Sequence, residues 1–396
     1  MKIMILGSDG YIGYPLTLHL LKKGHEVFGV DNYSRRQRVE EVGSNSLTPI
    51  TTHIGRKGYL KHSYSQSFVD QVDISLGKDS PGYIRHFLKE FKPEAIVHLA
   101  EQPSAPWSMI SVNEARATQI ENIIGTLDLL WAIRQECPTT HLVKLGTMGE
   151  YGTPNCDIPE GKIPEVCLGN KPESLATPVP CPMSGLLFPR TPGSFYHLTK
   201  VHDTFNIEFC CRIWGLRSTD IMQGVLYGVK VTGEEGLEQI TRFDYDQYFG
   251  TAINRFCAQA LINHPLTIYG KGEQTRGYLP LKDSIQCLTI AIENPPEQGT
   301  YRTLNQFEDT YSINELAHLV QNAAYDLGMT SERGPIPNPR IEAEEHYYNP
   351  HHQTLFDLGY KPTVNTAKEI KNLLLDLEPF SNRINEKVIM PTTKWR

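Results

Sequence analysis

The sequence predicts an α/β protein: a doubly wound parallel sheet followed by a smaller C-terminal α/β lobe. Three observations carry this. The chain opens as strand, glycine turn, helix and strand; short apolar runs then alternate with helical stretches to about residue 228; beyond that point the alternation fades into mixed helices and short strands. A chain of 396 residues can bury a large core. It divides into 1–228, a dinucleotide-binding unit with an insertion at 154–193, and 229–396, a substrate lobe from which a strand can return to the main sheet.

The first unit is the most explicit. Lys2–Leu6 is an apolar run, a helical stretch covers about Tyr11 to Lys23, and Val27–Val30 is a second run that ends at Asp31. Between run and helix, Gly7, Gly10 and Gly13 form Gly-x-x-Gly-x-x-Gly. Small residues there permit a tight turn, close approach to a pyrophosphate and close packing of helix on strand, so the arrangement is Rossmann-type. The helix N-terminus then faces the anion. Asp31 is placed to take adenosine ribose hydroxyls and to disfavour a 2′-phosphate, which favours NAD over NADP. Arg35 and Arg36 weaken that preference, because a nearby arginine can hold a phosphate; two solvated loop arginines is the competing reading.

Further strands are expected at Phe68–Val72, Ala95–Leu99 and Leu142–Leu145, with helices near Tyr83–Phe91 and Ala115–Arg134. Ligands of such sheets sit beyond the carboxyl ends of the strands, where Asp73-Ile74, Leu99-Ala100-Glu101-Gln102 and Gly146-Thr147-Met148 fall. His98 reads as a packed histidine. Residues 154–193 are proline-rich without periodicity, and an aperiodic segment of that length is expected to cover a site. A helix follows from Phe195, then a strand at Ser218–Met222. In the second lobe helices are expected at Thr251–Asn263, Lys282–Glu293 and Ser312–Leu327, and strands at Leu266–Tyr269, Arg276–Leu279 and Tyr301–Asn305.

Composition excludes several classes. The formal net charge is −7 with no long basic run, which argues against nucleic acid or an anionic membrane as partner. No apolar run approaches the length of a membrane span and the first residues read as a strand rather than a leader, so a cytoplasmic protein is expected. The eight cysteines are scattered and suggest neither zinc nor a disulfide framework. Glu344, Glu345, His346, His351 and His352 fit no standard metal spacing and read as a substrate edge with a solvated loop, so no metal is expected.

Tyr196 and Lys200 lie four apart in the segment after the insertion, which places both heads on one helix face. A phenol titrates near pH 10, and a neighbouring ammonium and a cofactor cation are expected to lower that value, so that Tyr196 can exchange a proton with a sugar hydroxyl.

The opening glycines, Thr147 after a strand and Tyr-x-x-x-Lys on the next helix together resemble the extended short-chain dehydrogenase/reductase family, over the whole chain. The resemblance implies Thr147, Tyr196 and Lys200 as the catalytic set. The strings 145–152, 195–200, 271–278 and 337–349 are similar to the branch of that family that sulfonates a nucleotide sugar. This implies UDP-glucose and sulfite as substrates, tightly held NAD and a homodimer. It further implies cofactor contacts at Gly7, Gly10, Tyr11, Ile12, Gly13, Asp31, Asn32, Asp73, Ile74, Leu99, Ala100, Asn122 and Lys200, with substrate contacts at Gln102, Thr147, Gln223, Gln274, Arg276 and Arg340. Two arginines can fork onto a diphosphate while glutamines read hydroxyls. The alternative for Arg340 is a surface pair with Glu342 or Glu344. One departure stands out: Gln102-Pro103-Ser104-Ala105-Pro106 replaces a Gln-Arg-Ser-Ala-Pro string, which removes a cation near the expected sulfite pocket.

The rival readings are a UDP-glucose 4-epimerase or 4,6-dehydratase and a non-catalytic NAD-binding regulator. Dehydratases of the family carry Asp and Glu after the Thr, where this chain has Met148 and Gly149; regulators lose the Tyr and Lys, and this chain keeps both. With Met148 and Gly149 unable to move protons, His197 is the expected assistant in elimination and Glu150 the reserve. A histidine hydrogen-bonded to the covering segment is the competing reading of His197.

Overall fold

The computed structural model describes residues 1–77, 81–163, 183, 185–231, 236–340, 342–343 and 345–393. The strands are β1 (Lys2–Leu6), β2 (Glu26–Asp31), β3 (Phe68–Asp73), β4 (Ala95–His98), β5 (His141–Thr147), β6 (Arg217–Gln223), β7 (Val225–Tyr227), β8 (Leu266–Tyr269), β9 (Thr275–Pro280), β10 (Tyr301–Gln306), β11 (Asp309–Ser312) and β12 (Arg333–Ile336). Seven of them form one parallel sheet in the order β10-β6-β5-β4-β1-β2-β3. Helices cover both faces, and strand alternation decides which residues meet them. Ile3 and Ile5 of β1 pack with Leu16, Leu20, Ile285 and Leu288, whereas Met4 and Leu6 pack with Leu88, Leu130, Ile133 and Ile207.

Chain order reverses between β1 and β4, so the crevice between their carboxyl ends is the switch point where such sheets bind ligands. Two glycines make that crevice. Gly7 has φ 86°, and a Cβ there would lie 2.7 Å from the Leu99 carbonyl carbon; a Cβ on Gly13 would lie 2.0 Å from the Gly7 carbonyl oxygen. Helix Gly13–Lys22 therefore starts in direct contact with the turn.

The second lobe holds a sheet β11-β9-β7, the pair β12-β8 and a core of its own, with helices Ala252–Leu261, Ile313–Asp326 and Thr366–Leu377. Residue 228 is not a packing boundary. β10 lies beside β6 in the main sheet, and helix Leu281–Glu293 contributes Ile285 and Leu288 to the core of that sheet. A strap also joins the lobes: Leu47 N donates to the Phe243 carbonyl (2.9 Å), Thr48 Oγ1 to the Thr241 carbonyl (2.8 Å), and Arg383 Nε to the Leu47 carbonyl (2.9 Å).

The helix expected at Ala115–Arg134 is longer and interrupted. It runs from Val112 to Glu136 with a π-helical turn at Ile120–Ile124, which carries Asn122. Of the covering insertion, residues 164–182 and 184 lie outside the described residues. Its flanks pack beside the catalytic strand: Ile158 and Phe188 cluster with Met148, Tyr151 and Met222, and Ile158 pairs with Pro350.

Candidate active site

At the nucleotide end, Asp31 closes β2 and accepts from the backbone N–H groups of Asp9 (2.8 Å) and Tyr33 (2.7 Å). Burial, with the Asp9 carboxylate beside it, raises Asp31 to about 6 against those two hydrogen bonds. Asn32 donates to Ser75 Oγ (3.0 Å), Asp73 is exposed at the end of β3, and Ile74 N donates to the Asp31 carbonyl (3.3 Å). Leu99 and Ala100 form the wall against Gly7, while Tyr11 and Ile12 pack partly buried against the core, with Tyr11 OH donating to the Gly228 carbonyl (2.8 Å).

Both arginines are committed, and neither is the solvated residue weighed from sequence. Arg36 forks onto Asp9 (2.6 and 2.8 Å) and donates to the Thr51 carbonyl. Arg35 pairs with Asp244 of the second lobe (2.7 Å) and stacks 3.9 Å from the Phe249 ring. Arg35 is thus held by the strap region rather than aimed at a cofactor phosphate.

The catalytic end is built by two caps. Ser194 caps helix Phe195–Trp214, its Oγ accepting from His197 N (3.1 Å). Thr147, the last residue of β5, caps the short turn Met148–Glu150 in a capping box with Glu150. The Thr147 hydroxyl is near enough to the Tyr196 phenol to act on its titration, so the site brings these two residues together across the insertion. Among the protein's own groups, burial raises the Tyr196 phenol to about 12 against opposing pulls from the Lys144 ammonium and Thr147; the acidification expected from sequence draws on the cofactor cation as well. The Lys200 ammonium lies 5.7 Å from the centre of the Tyr196 ring and is held by the Glu101 carboxylate and the Leu145 carbonyl.

His197 is a neutral imidazole. Burial, with the Arg340 and Arg276 charges nearby, pulls it down to about 3. Its Nδ1 lies 3.1 Å from Ser194 Oγ. A Cβ on Gly149 would lie 2.4 Å from His197 Nε2. The imidazole therefore fills the space that a side chain at 149 would need, which gives the missing carboxylate at that place a physical cause.

The substrate end lies on the strand ends and the second lobe. Gln223 Oε1 at the end of β6 and Gln274 Oε1 are buried with no hydrogen-bond partner among the described residues. Arg276 on β9 meets His346 Nε2 (2.8 Å) and Glu342 (3.0 Å). Glu342 thus pairs with Arg276, and the Arg340 backbone is fixed by Asn338 (3.0 Å). Gln102 differs from the expectation of a lining residue: it is buried, and its amide nitrogen donates to the Ser104 carbonyl (3.0 Å) and Thr118 Oγ1 (3.2 Å). Asn122 ties the same loop, accepting from Gln102 N (2.8 Å) and donating to Thr199 Oγ1 (2.8 Å) on the catalytic helix.

Residues 3–169 match the NAD dependent epimerase/dehydratase family. The chain is 44% identical over 401 aligned positions to UDP-sulfoquinovose synthase of Sulfolobus acidocaldarius, covering 100% of this chain and 98% of that one. It is 44% identical to the chloroplastic UDP-sulfoquinovose synthase of Spinacia oleracea, covering 100% of this chain and 79% of the relative. The chain belongs to the UDP-sulfoquinovose synthase family. Among solved structures, UDP-glucose 4-epimerase of Thermotoga maritima with UDP-glucose has the same fold (TM-score 0.68, 20% identity, 95% of this chain and 98% of that one). So does UDP-glucuronic acid 4-epimerase of Bacillus cereus with UDP-glucuronic acid and NAD (TM-score 0.68, 19% identity, 96% and 99%).

NAD is the cofactor of this family, and the residues of this UDP-sulfoquinovose synthase family member fit it. The glycine crevice has no room for side chains at 7 and 13, a carboxylate ends β2, and both nearby arginines are engaged. Protein denatured after purification is expected to release NAD; mainly NADP would show that Arg36 leaves Asp9 to take a 2′-phosphate.

What sequence reasoning missed is that Lys144, Asp203 and Asp220 join Glu101 and Glu150, both singled out there, in a buried polar floor. Its signal was present: Lys144 and Asp220 are charges in the middle of strands that otherwise read as apolar or neutral.

Proposed function

We propose that this chain converts UDP-glucose and sulfite to UDP-sulfoquinovose. The observation that carries this reading beyond its family is the His197 imidazole seated against Gly149, which puts a neutral base where a 4,6-dehydratase has a carboxylate.

Bound NAD would accept hydride from C4 of the glucose and return it at the end. Tyr196, as the phenolate that the nicotinamide cation and the Lys200 ammonium would favour, takes the proton of the 4-hydroxyl, and Thr147 hydrogen-bonds the oxygen. The resulting ketone acidifies the C5 proton. His197, neutral and therefore able to accept, removes that proton and delivers it to the departing 6-hydroxyl, so that water leaves and a C5=C6 double bond remains. The sulfite lone pair then forms the C–S bond at C6 and a proton returns to C5. Gln223 and Gln274, whose carbonyl oxygens have no partner among the described residues, would accept from sugar or base donors, and Arg276 and Arg340 would take the diphosphate. Gln102 and Asn122 hold the loop between the two ends.

Purified protein incubated with UDP-glucose, with and without sulfite, tests the proposal by the mass of the nucleotide sugar. A product that forms without sulfite and keeps the mass of UDP-glucose would favour an epimerase instead. Arg276→Ala and Arg340→Ala are each expected to weaken UDP-glucose binding by roughly ten- to a hundredfold, since a charge-assisted contact contributes about 1.5–3 kcal/mol. Unchanged affinity by calorimetry would remove that residue from the site.

We also infer a homodimer. Ile120, Ile124 and Trp131 stand on the helical stretch Val112–Glu136, and Phe205, Phe209 and Ile213 on the catalytic helix that packs against it; all six are 37–54% exposed. An apolar stripe on two adjacent helices suits a second copy related by a twofold axis. Phe209→Glu is expected to halve the mass measured by light scattering, and an unchanged mass would place the contact elsewhere. A cytoplasmic, reducing location fits the free thiols of the described cysteines. No helix of the described residues is long and apolar enough to cross a membrane.

A further inference from the structure

Glu101 follows Leu99 and Ala100 out of β4, yet its side chain turns inward and is 2% exposed. Its Oε2 accepts from the Lys200 ammonium. Its Oε1 accepts from Thr126 Oγ1 (3.4 Å) and faces His98 Nε2 (3.5 Å) and Lys144 Nζ (3.7 Å). Lys144 in turn lies 3.4 Å from Asp203, one turn along the helix from Lys200. Two ammoniums and two carboxylates thus stand together under the catalytic tyrosine, in space that the same fold could fill with apolar side chains at no loss of stability. An ammonium has three protons. Glu101 takes one and the Leu145 carbonyl (2.6 Å) a second, with the Tyr196 ring centre 5.7 Å from the nitrogen.

We propose that Glu101 is a positioning residue for the reaction: it aims the Lys200 ammonium and keeps it charged, as a fourth, buried member of the Thr147, Tyr196, Lys200 set. This rests on the functional reading above. A buried ammonium without a partner tends to neutralise. Burial pulls Lys200 down to about 8 against the upward pull of Asp203 and Asp220, and the Glu101 carboxylate is in direct contact with that ammonium. The other groups facing this pair do not replace it. His98 is held neutral by burial and by the Lys144 and Lys200 charges. Lys144 is engaged with Asp203 and Glu101. Glu150 and Asp220 are both in contact with Thr204 Oγ1 (3.0 and 2.8 Å), and the Tyr196 phenol is protonated.

The test compares the parent, Glu101→Gln and Glu101→Asp, each with its bound NAD quantified, by the rate at which UDP-glucose reduces the nicotinamide between pH 6 and 10. Removal of the carboxylate lowers the Lys200 pKa, so the charged form is lost at lower pH. The ratio of the Gln variant to the parent should be steady at the acid end, fall as the pH rises towards about 8, and level off above it, where both have lost the charge, while the Asp variant follows the parent. A ratio flat across the range overturns the proposal. Thermal unfolding gives a readout independent of turnover: Glu101→Gln should melt below the parent, and Glu101→Gln with Lys200→Met should regain much of the loss, because the unpaired buried charge is gone. If the Gln variant does not fold, folding of the double variant supports the pair, and failure of both overturns it. A parent that shows no reduction by UDP-glucose would instead sink the functional reading, and the melting comparison would still judge the pair.

Discussion

Tyr196→Phe is expected to abolish both the reduction of bound NAD by UDP-glucose and the formation of sulfonated product, each by 10²- to 10⁴-fold. The substitution removes one oxygen and keeps the ring, which is packed at the start of the catalytic helix where Tyr196 N donates to Ser108 Oγ (3.1 Å). Stability and UDP-glucose affinity should therefore change little. The loss is chemical, because the phenol oxygen near Thr147 is the group proposed to accept the sugar proton. A variant that retains product within tenfold of the parent would require a different base.

His197→Ala should divide the reaction. The bound nicotinamide is still reduced on mixing with UDP-glucose, because Tyr196, Thr147 and Lys200 are untouched, while UDP-sulfoquinovose falls by about 10²-fold or more. With burial and two arginine charges holding His197 near 3, the ring is neutral across physiological pH and enters the reaction unprotonated. The sulfonation rate should then show no acid limb from this residue between pH 5 and 8. Product at close to the parent rate would eliminate His197, as would loss of the nicotinamide signal as complete as in Tyr196→Phe.

The sequence made the first unit legible because each of its elements is periodic over a full turn or strand, and because glycines at 7 and 13 have one physical use. It made Tyr196 and Thr147 legible as a pair through a motif, although the phenol's own environment, set by Lys144 and Glu150, was not. The return of β10 was open from sequence, since a six-residue strand does not declare which parallel neighbour it joins. Gln102 looked like a lining residue because the first polar side chain after a strand end reads the same whether it turns outward or inward. Arg35 looked free because its partner, Asp244, is 209 residues away. The interrupted helix at Ile120–Ile124 carries no composition signal for its extra residue.

The continuity of backbone from β5 to β9 has a mechanical consequence. Thr147 stands at the end of β5, β6 is its hydrogen-bonded neighbour, β7 follows after Gly224 alone, and β9, which bears Arg276, pairs with β7. The junction is so close that a Cβ on Gly224 would lie 2.7 Å from the Gly277 carbonyl oxygen. On the reading proposed above, the residues that would hold the two ends of a nucleotide sugar are therefore joined through one hydrogen-bonded frame, like the jaws of a rigid gauge, and their spacing is set by the sheets rather than by any single contact.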